Sequence, residues 1–346
     1  MSNPRPLRIG IVGLGFMAAT HLKALKHLTQ DWEVVAVCNP SGRHLDGDFS
    51  QVAGNIGTAD PLKLDMSKVA AYRDFSEFLA HPGLEVVDIC APTLLHADLA
   101  VAALKAGKDV LCEKPMARTS ADAQRMVDAA AASGRLLMPA MCIRFWPEWK
   151  WVRDQVKAGT YGKVLSARFR RVTEPPGWGH QHFGDGAKSG GGLLDLHIHD
   201  TDFVQYCFGK PKTVFSSGHA AFTGAVDYVV TQYVVEGGAV VHAEGTWALA
   251  KGAGFTMEFT VNFERATVDY DFARTDARLR VSQDGEQKTI TVEGIDGYVG
   301  EFAHLAARLR GVADTVLVTA EDGASAVRIC EAEERSVYSG RPETVA

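Results

Sequence analysis

LRIGIVGLGFMAATHLKALKHL, residues 7–28, decides how the rest of the chain is read. It opens as an apolar run and breaks at Gly13-Leu14-Gly15-Phe16-Met17-Ala18. Helical periodicity follows from 19 to 28. A strand that feeds a G-x-G-x-x-A turn and then a helix has a physical use. The first glycine permits the tight turn, and the second lets backbone approach a pyrophosphate. The small third residue lets helix and strand pack closely. The helix N-terminus attracts the phosphates. Glycine pairs also end many strands for packing reasons, so the turn counts only in context. Here the strand precedes it, the helix follows, and a βαβ unit begins with EVVAVC (33–38). The stretch reads as a dinucleotide-binding turn.

The alternation continues outward. EVVDICAP (85–92), DVLCEKP (109–115) and RLLMPA (135–140) read as further buried strands. SEFLAH (76–81), LLHADLAVAALKAG (94–107) and SADAQRMVDAAAASG (120–134) read as helices. Strands apolar on both faces, alternating with helices, predict a parallel sheet covered on both sides. The polar, weakly patterned segment 39–69 reads as mostly loop with some helix.

After about residue 140 the pattern changes. FWPEWKWVRDQVKAG (145–159) reads as a helix, with Trp149 and Trp151 as core or interface, and KVLSARFRRV (163–172) as a long alternating strand. From 211 to 292 consecutive strands alternate with period two, which implies one covered face. Terminal helices are predicted over 297–311 and 320–340. The fold class is therefore α/β. A doubly wound parallel, Rossmann-type domain (1–140) precedes an α+β domain (141–346) with a large, mostly antiparallel open sheet.

Composition sets limits. A domain uses roughly 100–200 residues, so 346 residues suggest two. A hydrophobic content of 46% is ordinary for a globular chain. The net charge of −6, without any Lys/Arg-rich block, argues against nucleic acid. Six cysteines without a C-x-x-C pair suggest reduced thiols in a cytoplasmic protein. The opening residues lack a signal-peptide pattern. No apolar run approaches the roughly 20 residues of a membrane helix.

The end of the second strand bears on the cofactor. An acid there grips a ribose 2′-hydroxyl, whereas a nearby arginine suits a 2′-phosphate. The chain has Asn39-Pro40-Ser41-Gly42-Arg43 and no acid. Asn39 repels no phosphate, although it could also hydrogen-bond a bare ribose, and Ser41 and Arg43 suit a phosphate. The cofactor is expected to be NAD(P), with a lean to NADP.

GGGLLDLHIHDTDF (190–203) admits several readings. If 193–206 is helical, Asp195 and His199 are i, i+4 and share a face, while His197 points elsewhere. The carboxylate could then orient an imidazole that exchanges a substrate proton. If the stretch is a strand, His197 and His199 share a face and could hold zinc or another metal. Asp200 and Asp202 read as capping or solvated residues.

Pro92-Thr93-Leu94-Leu95-His96, Ala106-Gly107-Lys108 and Glu113-Lys114-Pro115 stand in an order and spacing that resemble the Gfo/Idh/MocA oxidoreductases. That family is named for glucose–fructose oxidoreductase and inositol dehydrogenase. Arg144-Phe145-x-Pro147, Gly190 to Asp202, and Tyr298-x-x-Glu301-Phe302 are similar to further elements of it. The likeness covers nearly the whole chain, with two departures. The segment 39–69 is longer than the family's usual link, and His197 stands where the family usually has glycine.

The resemblance implies hydride transfer between NAD(P) and a hydroxyl or keto carbon of a sugar, cyclitol or glycoside. It implies that Lys114 contacts both cofactor and the reacting hydroxyl, with Glu113 holding it by a charge-assisted hydrogen bond. His199 becomes the acid/base and Asp195 a substrate anchor, on a helix and without a metal. Pro92, Thr93 and His96 fall on the nicotinamide side, although His96 also reads as a helix-start residue satisfied by backbone. Arg144 is expected at cofactor or substrate, or in a structural ion pair. Trp178, His180 and His182, in the glycine-rich loop 174–189, are candidates for a sugar-binding lip. A homodimer or homotetramer through the second sheet is expected, with Val229, Tyr233 and Val235 as its outward apolar residues. Two other functions fit such a chain. One is a redox-assisted eliminase that recycles a tightly held NAD. The other is a sugar or cofactor sensor, against which Lys114, Asp195 and His199 together argue.

Overall fold

The computed structural model describes residues 5–52, 62–176 and 180–345. The strands of the first sheet are β1 (Leu7–Val12), β2 (Trp32–Cys38), β3 (Ala70–Tyr72), β4 (Val86–Ile89), β5 (Asp109–Glu113) and β6 (Leu137–Ala140). Those of the second are β7 (Val164–Val172), β8 (Thr213–His219), β9 (Tyr228–Val234), β10 (Val240–Thr246) and β11 (Thr256–Phe263), then β12 (Thr267–Asp271), β13 (Leu279–Gln283), β14 (Glu286–Thr289) and β15 (Glu343–Thr344). The helices are α1 (Phe16–Lys26), α2 (Phe75–Leu79), α3 (His96–Lys105), α4 (Ser120–Ser133) and α5 (Pro147–Ala158). They continue with α6 (His180–Phe183), α7 (Gly186–Ser189), α8 (Ile198–Phe208), α9 (Gly297–Leu309) and α10 (Ala320–Ser339).

The chain divides into two compact units. The first holds the chain up to Ala117, then Ala121–Cys142 and Asp296–Ala324. Its sheet is parallel throughout, in the order β3-β2-β1-β4-β5-β6. Ile9, Ile11, Val87, Ile89, Val110 and Leu111 are buried, as strands covered on both faces require. Each such side chain contributes about 1.5–3 kcal/mol by leaving water. The order reverses between β1 and β4, and the carboxyl ends of such strands flank the crevice where α/β sheets bind ligands.

Two expectations are corrected here. The division at residue 140 is redrawn, because Asp296–Ala324 returns to the first unit. The cause is α9 packing on α1: the Phe302 ring meets the His21 ring edge-on at 5.1 Å, and the Phe302 carbonyl accepts from Trp32 Nε1 at 3.1 Å. In the segment 39–69 the described residues form no helix, only a bridge between Asp48 and Lys63 with Phe49 and Leu62 buried beside it. The edge strand β3 follows at once, and its three residues were too short to announce themselves.

The second unit comprises Arg118–Ser120, Ile143–Ile295 and the chain from Ser325. Its sheet runs β14-β13-β12-β11-β7-β10-β9-β8-β15. Every pair is antiparallel except β7 with β10. One face is covered by helices. Trp149 of α5 is fully buried there, edge-on to Phe203 of α8 at 4.9 Å and to Phe259 of β11 at 5.1 Å. Aromatic pairs of this kind add about 0.5–1.5 kcal/mol beyond area burial.

Val229, Tyr233 and Val235 are buried, contrary to the expected outward direction. This row of β9 faces the helices, where the Tyr233 hydroxyl meets buried Thr201 and His197. The uncovered face instead carries exposed Phe215, Val234 and Val240. Beside them Arg170 pairs with both Glu244 and Glu258. Among the described residues no helix is long and apolar enough to cross a membrane.

Candidate functional site

The cofactor turn fits its expected ligand. Gly13 has φ +85°, and a Cβ there would lie 2.6 Å from the Ala91 backbone, so no other residue suits the turn. A Cβ on Gly15, by contrast, would meet nothing within 4 Å, which leaves backbone open to an approaching group. Phe16 and Met17 are half-buried in the first turn of α1, which has no acidic residue and no side-chain cap. Its N-terminal dipole is thus left for a phosphate. Buried Ala18 allows the close packing that the third position requires.

At the end of β2 the Asn39 amide is spent on its own turn. Its Oδ1 accepts from Ser41 N and Oγ at 3.3 and 3.0 Å, and its Nδ2 donates to the Arg43 carbonyl at 2.8 Å. Arg43 and Ser41 are exposed. The Arg73 guanidinium lies against Gly42, a second cation that the sequence reading did not single out.

The remaining first-unit candidates follow β4 and β5. Pro92 is exposed and Thr93 buried at the turn before α3. His96 is buried, with Nδ1 2.9 Å from the Pro115 carbonyl and Nε2 2.7 Å from the Ala91 carbonyl. Burial lowers its pKa, and a neutral ring donates to only one of the two. His96 therefore ties the Pro92 turn to the Glu113-Lys114-Pro115 turn, as the backbone-satisfied alternative anticipated. Lys114 is half-buried just past β5, ahead of a cis Pro115.

Glu113 holds more than Lys114. Its Oε2 accepts the Lys114 backbone N–H at 2.9 Å, and its Oε1 lies 3.0 Å from His21 Nε2. That second contact is close enough for an ion pair without being aligned as a hydrogen bond. His21 Nδ1 meets Asp88 at 2.9 Å. Burial alone would depress the His21 pKa, but Asp88 and Cys90 outweigh it and hold it well above the ordinary value. Burial raises Glu113, and His21 and Lys114 more than reverse the shift. Glu301 of α9 is buried without a hydrogen-bond partner, and burial pushes its pKa well up.

Sequence reasoning missed this buried charge network. Its signals were a histidine on the apolar stripe of α1 and an acid inside EVVDIC. Among the described residues His21, Asp88 and Cys90 also form the one group spaced for a metal. However, burial holds the Cys90 thiol far above its usual range, and Asp88 already occupies Nδ1.

In the second unit GGGLLDLHIHDTDF is helical, which removes the strand premise of the metal reading. Leu193–His197 form a π turn that runs into α8. The glycines before it allow close approach: a Cβ on Gly191 would sit 2.5 Å from the Val226 carbonyl, and one on Gly192 2.5 Å from that of Asp227. From Gly190 to Gln205 every residue is buried except Asp195 and His199, which are half-exposed. The expected common face of these two is thus kept across the π turn.

Asp200 and Asp202 are neither capping nor solvated. Both are buried, Asp200 with Arg171 at 3.0 Å and Asp202 with Arg144 through two bonds of 2.8 and 2.6 Å. A helix turned inward on this side needs partners for each buried charge, and distant arginines supply them. Arg144 therefore sits in the structural ion pair that was its alternative reading. Its guanidinium also lies 4.5 Å from the centre of the Tyr206 ring. His182 is half-buried against Phe183. Trp178 and the His180 side chain lie outside the described residues.

The chain is similar to known proteins over both units. Residues 7–141 match the model of the oxidoreductase family with an NAD-binding Rossmann fold, and 149–269 match the Gfo/Idh/MocA C-terminal domain. The chain is 31% identical to trans-1,2-dihydrobenzene-1,2-diol dehydrogenase of Mus musculus, over 70% of this chain and 69% of that one. It is 33% identical to D-glucoside 3-dehydrogenase of Escherichia coli, over 62% of this chain and 58% of that one. The WlbA dehydrogenase of Bordetella pertussis, solved with NADH and UDP-GlcNAcA, shares the fold with a TM-score of 0.81 at 19% identity, over 99% of each chain. The open βα turn of an NAD-binding Rossmann sheet and the matches over both units give one conclusion: the chain belongs to the Gfo/Idh/MocA family of oxidoreductases.

Proposed function

We propose that the protein oxidises a secondary hydroxyl of a sugar, cyclitol or glycoside, or reduces the corresponding ketone, with NADP preferred over NAD. When bound, the nicotinamide supplies the hydride acceptor or donor. The chain's own residues handle the oxygen and its proton. The Lys114 ammonium stabilises the developing alkoxide, His199 takes up the hydroxyl proton, and Asp195 holds a neighbouring hydroxyl. The observation that carries this reading is the exposure of Asp195 and His199 alone in an otherwise buried segment. A purely structural acid on this segment is buried against an arginine, as Asp200 and Asp202 are, whereas half-exposing Asp195 and His199 on one face serves a substrate.

The lean to NADP rests on Arg43, Arg73 and the lack of an acid in Asn39-Pro40-Ser41-Gly42-Arg43. We also assign the uncovered sheet face to a homodimer or homotetramer contact, because it exposes Phe215, Val234 and Val240. The test is Lys114→Ala. It should bind reduced cofactor within a few fold of wild type and lose most turnover. Near-wild-type turnover removes Lys114 from the mechanism.

A further inference from the structure

His197 lies between Asp195 and His199 in sequence and is fully buried. It closes a π turn, a wide turn that is rare in helices and concentrated at functional sites. Its ring has room because position 245 in β10 carries no side chain. A Cβ on Gly245 would lie 2.5 Å from His197 Nδ1 and 2.6 Å from its Cβ. His197 Nε2 lies 3.1 Å from the Tyr233 hydroxyl of β9 and 3.5 Å from Glu333 of α10. The same hydroxyl is 3.2 Å from Thr201 Oγ1 of α8, which bonds Glu333 at 3.1 Å. One ring therefore links the wide turn to two strands and a second helix.

We propose that His197 is a positioning residue: it clamps the wide turn against Gly245, Tyr233 and Glu333, and so fixes the directions in which Asp195 and His199 point. The inference rests on the proposed acid–base role of His199. A ring that merely filled space would be replaceable by any side chain of its size. A clamp requires the polar link to Tyr233 as well.

The test compares His197→Gly, His197→Leu and His197→Gln with Gly245→Ala and the double variant His197→Gly/Gly245→Ala. Three readouts are taken: kcat and KM, melting temperature, and amide hydrogen exchange over 193–199. Misplacing a catalytic group by about 1 Å costs on the order of a hundredfold, so His197→Gly should lose tenfold to a hundredfold in kcat. KM for cofactor should hold within about twofold, and exchange at 193–199 should accelerate. His197→Leu should lose kcat like the glycine variant while melting near wild type. His197→Gln, whose amide can still donate to Tyr233, should recover part of it. Gly245→Ala should harm the wild type and be neutral or helpful beside His197→Gly.

Wild-type kcat in a folded His197→Leu overturns the positioning role. Unchanged exchange at 193–199 in His197→Gly overturns the clamp, whatever the kinetics. A wild type without turnover on any alcohol or ketone overturns the acid–base reading instead, and the exchange result still decides the clamp.

Discussion

Asp202→Ala separates the two readings of Arg144. In the folded chain the Arg144 guanidinium is buried and donates to both oxygens of Asp202 at 2.8 and 2.6 Å. Removing the carboxylate leaves the Arg144 charge buried beside the Tyr206 ring without its counter-ion. Breaking one partner of such a pair costs about 3–5 kcal/mol. For a unit of this size each kcal/mol lowers Tm by about 2–4 °C, so Asp202→Ala should melt roughly 6–20 °C lower. Replacing both partners, Arg144→Met with Asp202→Leu, should cost less than the single change, because no charge remains buried. Thermal unfolding followed by circular dichroism reads both. A single variant that melts within about 2 °C of wild type refutes the structural assignment. So does an Arg144→Met that keeps its stability and weakens cofactor binding.

Other expectations follow from the same geometry. Gly13→Ala sets a methyl 2.6 Å from backbone at φ +85°; it should abolish cofactor binding in calorimetry, and retained binding would place the pyrophosphate elsewhere. Arg73→Ala should lower the NADP-to-NAD ratio of kcat/KM by about tenfold and leave kcat with NAD unchanged, whereas an unaltered ratio removes Arg73 from cofactor choice. The pKa of His21 is raised in the folded state, so its contribution to stability is complete below the unfolded value of about 6.5. That contribution is lost as pH rises through the folded value, so the stability gap between wild type and His21→Gln should narrow above about pH 6.5; a gap that widens with pH contradicts the ion pair. Burial, followed by Arg308, lowers the pKa of His304 to about 4. Its contribution is present above the unfolded value and lost on acidification from about pH 6.5 to 4, so His304→Gln should flatten that limb of an acid titration.

Local pattern carried much of the architecture. β1, its glycine turn and α1 were legible because strand period, turn chemistry and helix period follow one another within 7–28. β3 was not, since three residues at a sheet edge show no apolar run. The parity of β9 was not legible, because the inner place of Tyr233 depends on distant buried partners such as Thr201 and His197 for its hydroxyl. Distant pairing was the other blind spot. Asp200 and Asp202 look like solvent-facing helix residues until Arg171 and Arg144 are folded onto them. His21 joins Asp88 across 67 positions, and nothing in the α1 stripe names that partner. By contrast, the half-exposed pair Asp195 and His199 was readable, because an i, i+4 relation is written in the chain itself.

The central claim is hydride transfer to or from a polyhydroxylated molecule, and reduced-nicotinamide absorbance tests it most directly. Purified protein is mixed with NADP⁺ or NAD⁺ and a panel of cyclitols, aldoses and glycosides. The account predicts growth of that absorbance with at least one substrate, faster with NADP⁺. No change across the panel, with cofactor binding shown by calorimetry, would contradict it and favour a sensor or an eliminase that returns its hydride.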